Sequence, residues 1–386
     1  MNKRIGKYIV QKVFTESYKA YVPQKLPSEP AIDITKLYPY LEKATRALAE
    51  LNSARKIMPN PALIMYIRKE ALLSSQIEGT QSSFLDLMLF ENNQKPEVSL
   101  KDVEEVSNYV KAIHYGIGHL KDDFPLSLRL LKEIHGILLA GERGSNKLPG
   151  EFRTSQNWIG GTRPGNALFV PPPVEYLNDC LSDFEKFLHD ESTPVIIKAG
   201  LAHIQFETIH PFLDGNGRLG RLLITLLLSA KGMLDEPILY LSLYFKQNRQ
   251  IYYNLLQEVR EFGTWETWLK FFLTGVYESS KQAIQAAEAI NNLFTKDLEK
   301  ISHVGRARFS CEQTLEYMKR LPQVTVALLS KELKITTPTA RSALNHLNAT
   351  GVLEEVSGKK RDKVYVYRKY LDILEDGAEP ISEGRL

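Results

Sequence analysis

The chain has 386 residues, enough for two or three domains at roughly 100–200 residues each. Its 43% hydrophobic and 25% charged residues exclude a disordered or collagen-like polymer. A net charge of +3, from 49 Lys+Arg against 46 Asp+Glu, excludes a polycation, so any nucleic-acid surface must be local.

The opening MNKRIGKYIV is basic but lacks the apolar stretch and cleavage site of a signal peptide. An irregular, Pro-containing stretch follows at Tyr21–Leu37. Helical periodicity predicts one helix from Tyr38 to about Arg55 and another from Asn60, an N-cap residue type with Pro61 at the first helical position. That second helix stops at Gly79, a residue suited to the C′ position. Together these make an N-terminal helical region, 1–95.

The next region, 96–275, is also mostly helical. Ser99 is expected to cap LKDVEEVSNYVKAIHYGI with Asp102 completing a capping box, and Ser127 to begin a helix reaching about Ala140. The pattern then breaks at Leu148–Pro173, which holds four glycines and five prolines. Two short extended runs around Gly-Gly and Pro-Gly-Asn read as a β-hairpin. Helices resume at Val174, and Trp265 and Trp268, three apart, are expected in the core. The apolar run Leu222–Leu228 is far too short to cross a bilayer.

A connecting helix is expected over 276–302 and a separate unit over 303–372, with a tail at 373–386. In the separate unit three helical segments, the third capped by Thr337 with Pro338 at its first turn, precede LEEVSGKKRDKVYVY, which alternates around a basic turn. Three helices and a basic hairpin make the winged-helix pattern. From His303 to Tyr370 there are 13 Lys+Arg against 6 Asp+Glu, so the basic charge is concentrated here. Thr339, Arg341, Ser342 and Asn345 lie on the polar side of the third helix, and Lys359, Lys360, Arg361 and Lys363 on the wing, where groove and phosphate contacts would be made. Cys180 and Cys311 are far apart and make no disulfide framework, which fits a reducing, cytoplasmic setting.

The chemistry concentrates in His210-Pro-Phe-Leu-Asp-Gly-Asn-Gly-Arg-Leu-Gly-Arg221, a loop between two helical segments. Gly215-Asn216-Gly217 lets backbone N–H groups turn to one side, and the following helix N-terminus adds unpaired N–H groups and a positive dipole end. Arg218 and Arg221, three apart, share a face of the first turn. Asp214 offers a hard oxygen suited to Mg²⁺ held between a carboxylate and phosphates, and His210 is a base for neutral pH. These parts suit transfer of a phosphorus-containing group from a nucleotide. The literal Gly215-x-Gly217-x-x-Gly220 is set aside as a dinucleotide fingerprint, because that motif needs a preceding strand. A His203, His210, Asp214 metal-hydrolase site is a further alternative.

The twelve residues resemble the full signature of the Fic domain family. The resemblance implies a mainly α fold: a Fic-type helical core with a β-hairpin flap, plus a C-terminal winged-helix domain. It implies AMP transfer from ATP to a Ser, Thr or Tyr hydroxyl of a protein, the chain itself included, with ATP and Mg²⁺ required. Carried over by position, His210 is the general base, Phe212 anchors the loop, and Asp214 holds the metal. Gly215, Asn216, Gly217, Arg218, Leu219, Gly220 and Arg221 bind the nucleotide phosphates. Glycine at 217 favours AMP transfer over phosphorylation, since a kinase-like branch has lysine there. YFKQNRQIYYNLL resembles the helix closing the nucleotide pocket, with Asn248, Gln247 and Tyr252 near the adenosine. The hairpin 148–173 would dock the protein substrate through its edge.

Ser74-Ser-Gln-Ile-Glu78-Gly79 resembles the family's inhibitory motif. Glu78 falls at a helix C-terminus, where a carboxylate is disfavoured without a cation partner; the resemblance implies Arg221. The plain alternative is a solvated surface glutamate. A homodimer and removal of AMP at the same site are further family expectations, as is the absence of a membrane partner. A different class of function, a winged-helix DNA-binding regulator with a nucleotide-sensing domain, remains open.

Overall fold

The computed structural model describes residues 4–13, 16–28, 31–55, 60–92, 95–96, 98–141 and 144–380. The chain opens with an antiparallel ladder of β1 (Lys7–Val13) and β2 (Glu16–Val22), in register from Lys7↔Val22 to Val13↔Glu16. The alternation of Tyr18, Ala20 and Val22, all buried, was the missed signal for this hairpin. A 3₁₀ turn at Ile34–Leu37, capped by the Asp33 carboxylate on Thr35 N–H, leads into α1 (Tyr38–Ala54).

Next comes α2 (Asn60–Ile77), starting where expected. The side chains of Asn60 and Pro61 lie outside the described residues. α3 (Phe84–Glu91) carries a capping box of Ser83 and Asp86 that the periodicity did not announce. In α4 (Leu100–Lys121) the expected Ser99 box is not formed: Ser99 makes no side-chain cap bond, and Asp102 instead accepts from Gln81 N–H at 3.2 Å. α5 (Leu128–Leu138) is capped by Ser127 as expected.

Residues 148–173 are not a regular hairpin. One antiparallel bridge, Ile159↔Phe169, spans a 3₁₀ turn at Pro164–Asn166. Prolines at 171–173 have no N–H to donate, and Gly160 and Gly161 both take positive φ, so a longer ladder cannot run. β2 supports this segment, with Tyr21 N–H donating to Val170 O at 2.9 Å.

α6 (Val174–His189) precedes α7 (Val195–Ile209) and α8 (Asn216–Ala230), which form the centre of the molecule. Every residue from Ile196 to Ile209 is buried, which explains why this helix has no polar stripe. α9 (Ser242–Gln247) and α10 (Arg249–Phe262) follow. α11 (Trp265–Ile301) is one helix of 37 residues, so the expected boundary between 275 and 276 falls inside it. Trp265 and Trp268 are buried on it.

Beyond α11 come α12 (Arg308–Met318), β3 (Gln323–Thr325), α13 (Val326–Glu332), α14 (Thr337–Ala349), β4 (Glu354–Glu355) and β5 (Val364–Val366). The sheet order is β3-β5-β4, antiparallel throughout. The cap of α14 is Thr336, one residue before the expected Thr337, because Thr336 is extended and its hydroxyl accepts from Thr339 N–H. A final α15 (Arg368–Glu375) begins before the expected tail. The tail backbone is tied down too: Lys69 Nζ donates to Asp376 O at 2.8 Å and Gln76 Nε2 to Ala378 O at 2.9 Å. Cys180 and Cys311 are free and buried. Among the described residues no helix is long and apolar enough to cross a membrane.

Candidate active site

α7 ends by placing His210 in the left-handed region, φ 49°, and α8 starts after Gly215 at φ 75°. Between these two bends the loop is clamped by its own Asn216: Oδ1 accepts from Phe212 N–H and Nδ2 donates to Phe212 O, both at 2.9 Å. The Asn216 side chain is therefore spent on loop shape. Residues from 148–173 hold the loop from the other side. Arg153 Nε donates to His210 O at 3.0 Å, Arg153 N–H to Pro211 O at 2.9 Å, and Asn157 Nδ2 to Phe212 O at 2.8 Å.

Beneath the loop, the fully buried Phe212 stacks on His135 with ring centroids 3.7 Å apart. His135 Nδ1 accepts from Gly150 N–H at 2.9 Å, which leaves Nε2–H to donate to Asp214 O at 3.0 Å. Burial pushes this imidazole down to about 4, so it stays neutral. Arg153, Asn157 and His135 were not singled out as site residues from the sequence, because each reaches the loop from a distant segment.

A cavity of about 310 Å³ opens above the loop, lined by Glu78, Glu105, His210, Asp214, Arg218 and the backbone of 215–217. His210 Nδ1 lies 3.4 Å from Glu207 O, a long contact that favours hydrogen on Nδ1 and a free lone pair on Nε2. Burial, then Arg260, pushes His210 down to about 3, so the ring is neutral at physiological pH. Asp214 is half-exposed at the rim and accepts from Gly215 N–H at 2.6 Å. Arg218 is buried and donates to Glu105 Oε2 at 2.9 Å.

Arg221 lies deeper. Its Nη2 donates to Glu78 Oε1 at 2.6 Å and to Ser74 O at 2.9 Å, and its Nε donates to Ser74 Oγ at 2.8 Å. Glu78 sits just past the end of α2, with Gly79 at φ 105° behind it. Burial raises the Glu78 carboxyl, but Arg221 more than offsets this and holds it below its ordinary value. A Cβ on Gly217 would overlap Glu78 Oε1, so the carboxylate rests directly on the first turn of α8.

Other expected residues stand elsewhere. The Leu219 side chain is in the core, and Gly220 O accepts from His203 Nδ1 at 2.9 Å. The 3.6-residue period turns these two away from the cavity that Arg218 lines. Asn248 Nδ2 donates to Tyr244 O at 3.0 Å, and Gln247 borders Gly377; neither lines the cavity. His203 accepts from Tyr252 through Nε2 at 2.9 Å, so both its nitrogens are engaged. That removes the His203, His210, Asp214 metal site.

The model of the Fic/DOC family matches residues 125–228, and that of the Fic/DOC family N-terminal region matches residues 38–118. The chain carries a Fic domain. "Protein adenylyltransferase Fic" of Culex quinquefasciatus is 35% identical over 144 residues, 36% of this chain and 26% of that protein. A probable protein adenylyltransferase of Aquifex aeolicus (strain VF5) is 32% identical over 115 residues, 30% of this chain and 32% of that protein. The matched part thus spans about a third or less of these relatives. A Fic family protein from Desulfovibrio desulfuricans G20 has the same fold, with TM-score 0.55 and 18% identity, over 85% of this chain and 96% of that one. Fic-1 (aa134–508) from C. elegans matches at TM-score 0.50 and 23% identity, over 66% and 73%. The matched residues 125–228 run from α5 into α8 and include the loop His210–Gly215 that lines the cavity.

Proposed function

We propose that this chain transfers AMP from ATP to hydroxyl groups of proteins. The observation that carries the reading is one shared cavity: a neutral His210 opens onto the same space as the backbone turn and N-terminus of α8. A phosphate tail lying on that turn meets unpaired N–H groups and the Arg218 guanidinium. The target hydroxyl gives its proton to His210 Nε2 while its oxygen bonds to the α-phosphorus. The bond from that phosphorus to the bridging oxygen breaks, and pyrophosphate leaves. Asp214 fits a metal site, since it offers a half-exposed carboxylate at the rim beside the phosphate turn. A Mg²⁺ ion held there and by the phosphates would neutralise their charge. The segment 148–173, with Trp158 and Leu168 exposed, would receive the protein target.

Glu78 is the brake in this reading. Its carboxylate rests on the turn where phosphate would lie and engages Arg221. The test is intact mass after incubation with ATP and Mg²⁺. Glu78→Gly should gain one AMP unit, wild type less, and Glu78→Gly with His210→Ala none. A gain of one phosphate, or no gain in Glu78→Gly, rejects the reading. Loss of AMP from a labelled target on adding wild type would assign the reverse reaction to the same site.

A second reading rests on residues 303–372, which we propose form a winged helix. The α14 residues Arg341, Ser342 and Asn345 are exposed together, as are Lys359, Lys360 and Arg361 on the turn between β4 and β5. A duplex-DNA shift that weakens with salt would support a regulator. Absence of a shift at low salt would leave a protein-contact role for this unit.

A further inference from the structure

Glu207 lies on α7, three residues before His210, and is buried. Its Oε2 stands 3.9 Å from His210 Nδ1. Its Oε1 has no hydrogen-bond partner among the described residues. An unpartnered carboxyl oxygen in the interior costs folding free energy, so packing alone gives no reason to keep it. The fold nonetheless makes room for it: a Cβ on Gly220 would meet Glu207 Oε1 at 2.6 Å. We propose that Glu207 is the positioning residue for His210. Its carboxyl stands beside the backbone oxygen that the Nδ1–H meets, adds its charge to that contact to keep Nε2 turned to the incoming hydroxyl, and balances the imidazolium formed when Nε2 takes the proton.

The inference rests on the transfer activity proposed above. The arrangement follows the logic of a base oriented by a third group. In the step itself the proton moves from the hydroxyl to Nε2, and Glu207 stays ionised. The charged and titratable groups facing Glu207 are Arg221 on α8, Arg260, Tyr252 and Tyr253 on α10, His210, and Glu78 after α2. Burial pushes the Glu207 carboxyl up to about 7; Arg221 and Arg260 pull it down and Glu78 pushes it up. Support for the imidazolium is therefore present above that pH and lost below it. His210, held near 3, contributes no limb in this range.

The experiment compares Glu78→Gly with Glu78→Gly/Glu207→Gln between about pH 5.5 and 8.5. Glu78→Gly should show kcat rising through a limb at or below about 7, since the push from Glu78 is gone. The Gln variant should lose that limb and about tenfold or more of kcat at pH 8, with KM for ATP within about twofold. The ¹⁵N signals of His210 without nucleotide form the second arm. They should report a single Nδ1–H tautomer in Glu78→Gly and a mixture in the Gln variant. Unchanged kcat, limb and tautomer in the Gln variant overturn the inference. If Glu78→Gly transfers no AMP, the proposed activity fails, and the tautomer arm still decides whether Glu207 orients the ring.

Discussion

Glu78 Oε1 lies 2.6 Å from Arg221 Nη2 and against the backbone of Gly217, so one carboxylate meets both a buried guanidinium and a helix N-terminus. A triphosphate tail seeks the same two partners. Glu78→Gly should therefore tighten ATP binding by about tenfold or more, equivalent to about 1.4 kcal/mol. Calorimetric titration in a His210→Ala background, which lacks the proposed base, measures it. Equal affinities would mean that Glu78 does not compete.

Gly217→Ala probes the same contact from the helix. With Glu78 present, the new methyl overlaps Oε1 and should cost roughly 1–3 kcal/mol of stability. In Glu78→Gly that overlap is gone, leaving a 3.2 Å approach to Arg221 Nη1, and alanine in a helix is favoured by up to about 1 kcal/mol over glycine. Denaturant melts of the four proteins give the coupling energy. A coupling near zero would place the carboxylate elsewhere in solution.

Ser74 contributes two of the three acceptors of Arg221, one through its hydroxyl. Ser74→Ala removes that hydroxyl and leaves a buried Nε–H without a partner. The expected loss is about 1.5–3 kcal/mol, the range for a hydrogen bond to a charged group. On the proposed function, AMP transfer should rise at the same time, because Arg221 is held less firmly. A melt unchanged from wild type would show that Ser74 adds nothing to the lock.

Acid should destabilise the protein in two stages. His135, His203 and His210 are held at about 4, 3 and 3, against an ordinary value of 6.5. The unfolded chain binds protons there that the folded chain refuses, so stability falls as pH drops below 6.5. Glu70 and Glu207, both pushed up to about 7 from 4.5 by burial, act oppositely: their contribution is full below 4.5 and lost as pH rises through about 7. The two effects largely offset between 4.5 and 6.5; below 4.5 the histidine loss continues, and carboxyls held below their ordinary values, such as Glu78 and Asp190, add to it as they take up protons. Tm should fall gently, then steeply, on acidification. In Glu70→Gln the steep fall should begin higher, near 6. A Tm that rises between pH 4.5 and 3.5 contradicts the neutral histidines.

Much of the central element was legible in the chain itself. The His210–Arg221 spacing, the helix breaks at Gly79 and Gly215, and the Ser127 cap are local properties, set by backbone freedom and by groups a few residues apart. The resemblance put Leu219 and Gly220 with the nucleotide, whereas in the packed helix the Leu219 side chain lies in the core and Gly220 O accepts from His203. The local reading turned Pro-rich 148–173 into a hairpin, where missing N–H donors allow one bridge.

What tertiary structure decided is which groups meet. Arg221 and Glu78 are 143 residues apart, Arg218 and Glu105 are 113 apart, and His135 reaches Asp214 across 79. Periodicity records which face of a helix is apolar, not which far segment packs on it. An ion pair, an orienting carboxyl and a ring stacked under a loop arise only when burial removes water and leaves these groups no other partner.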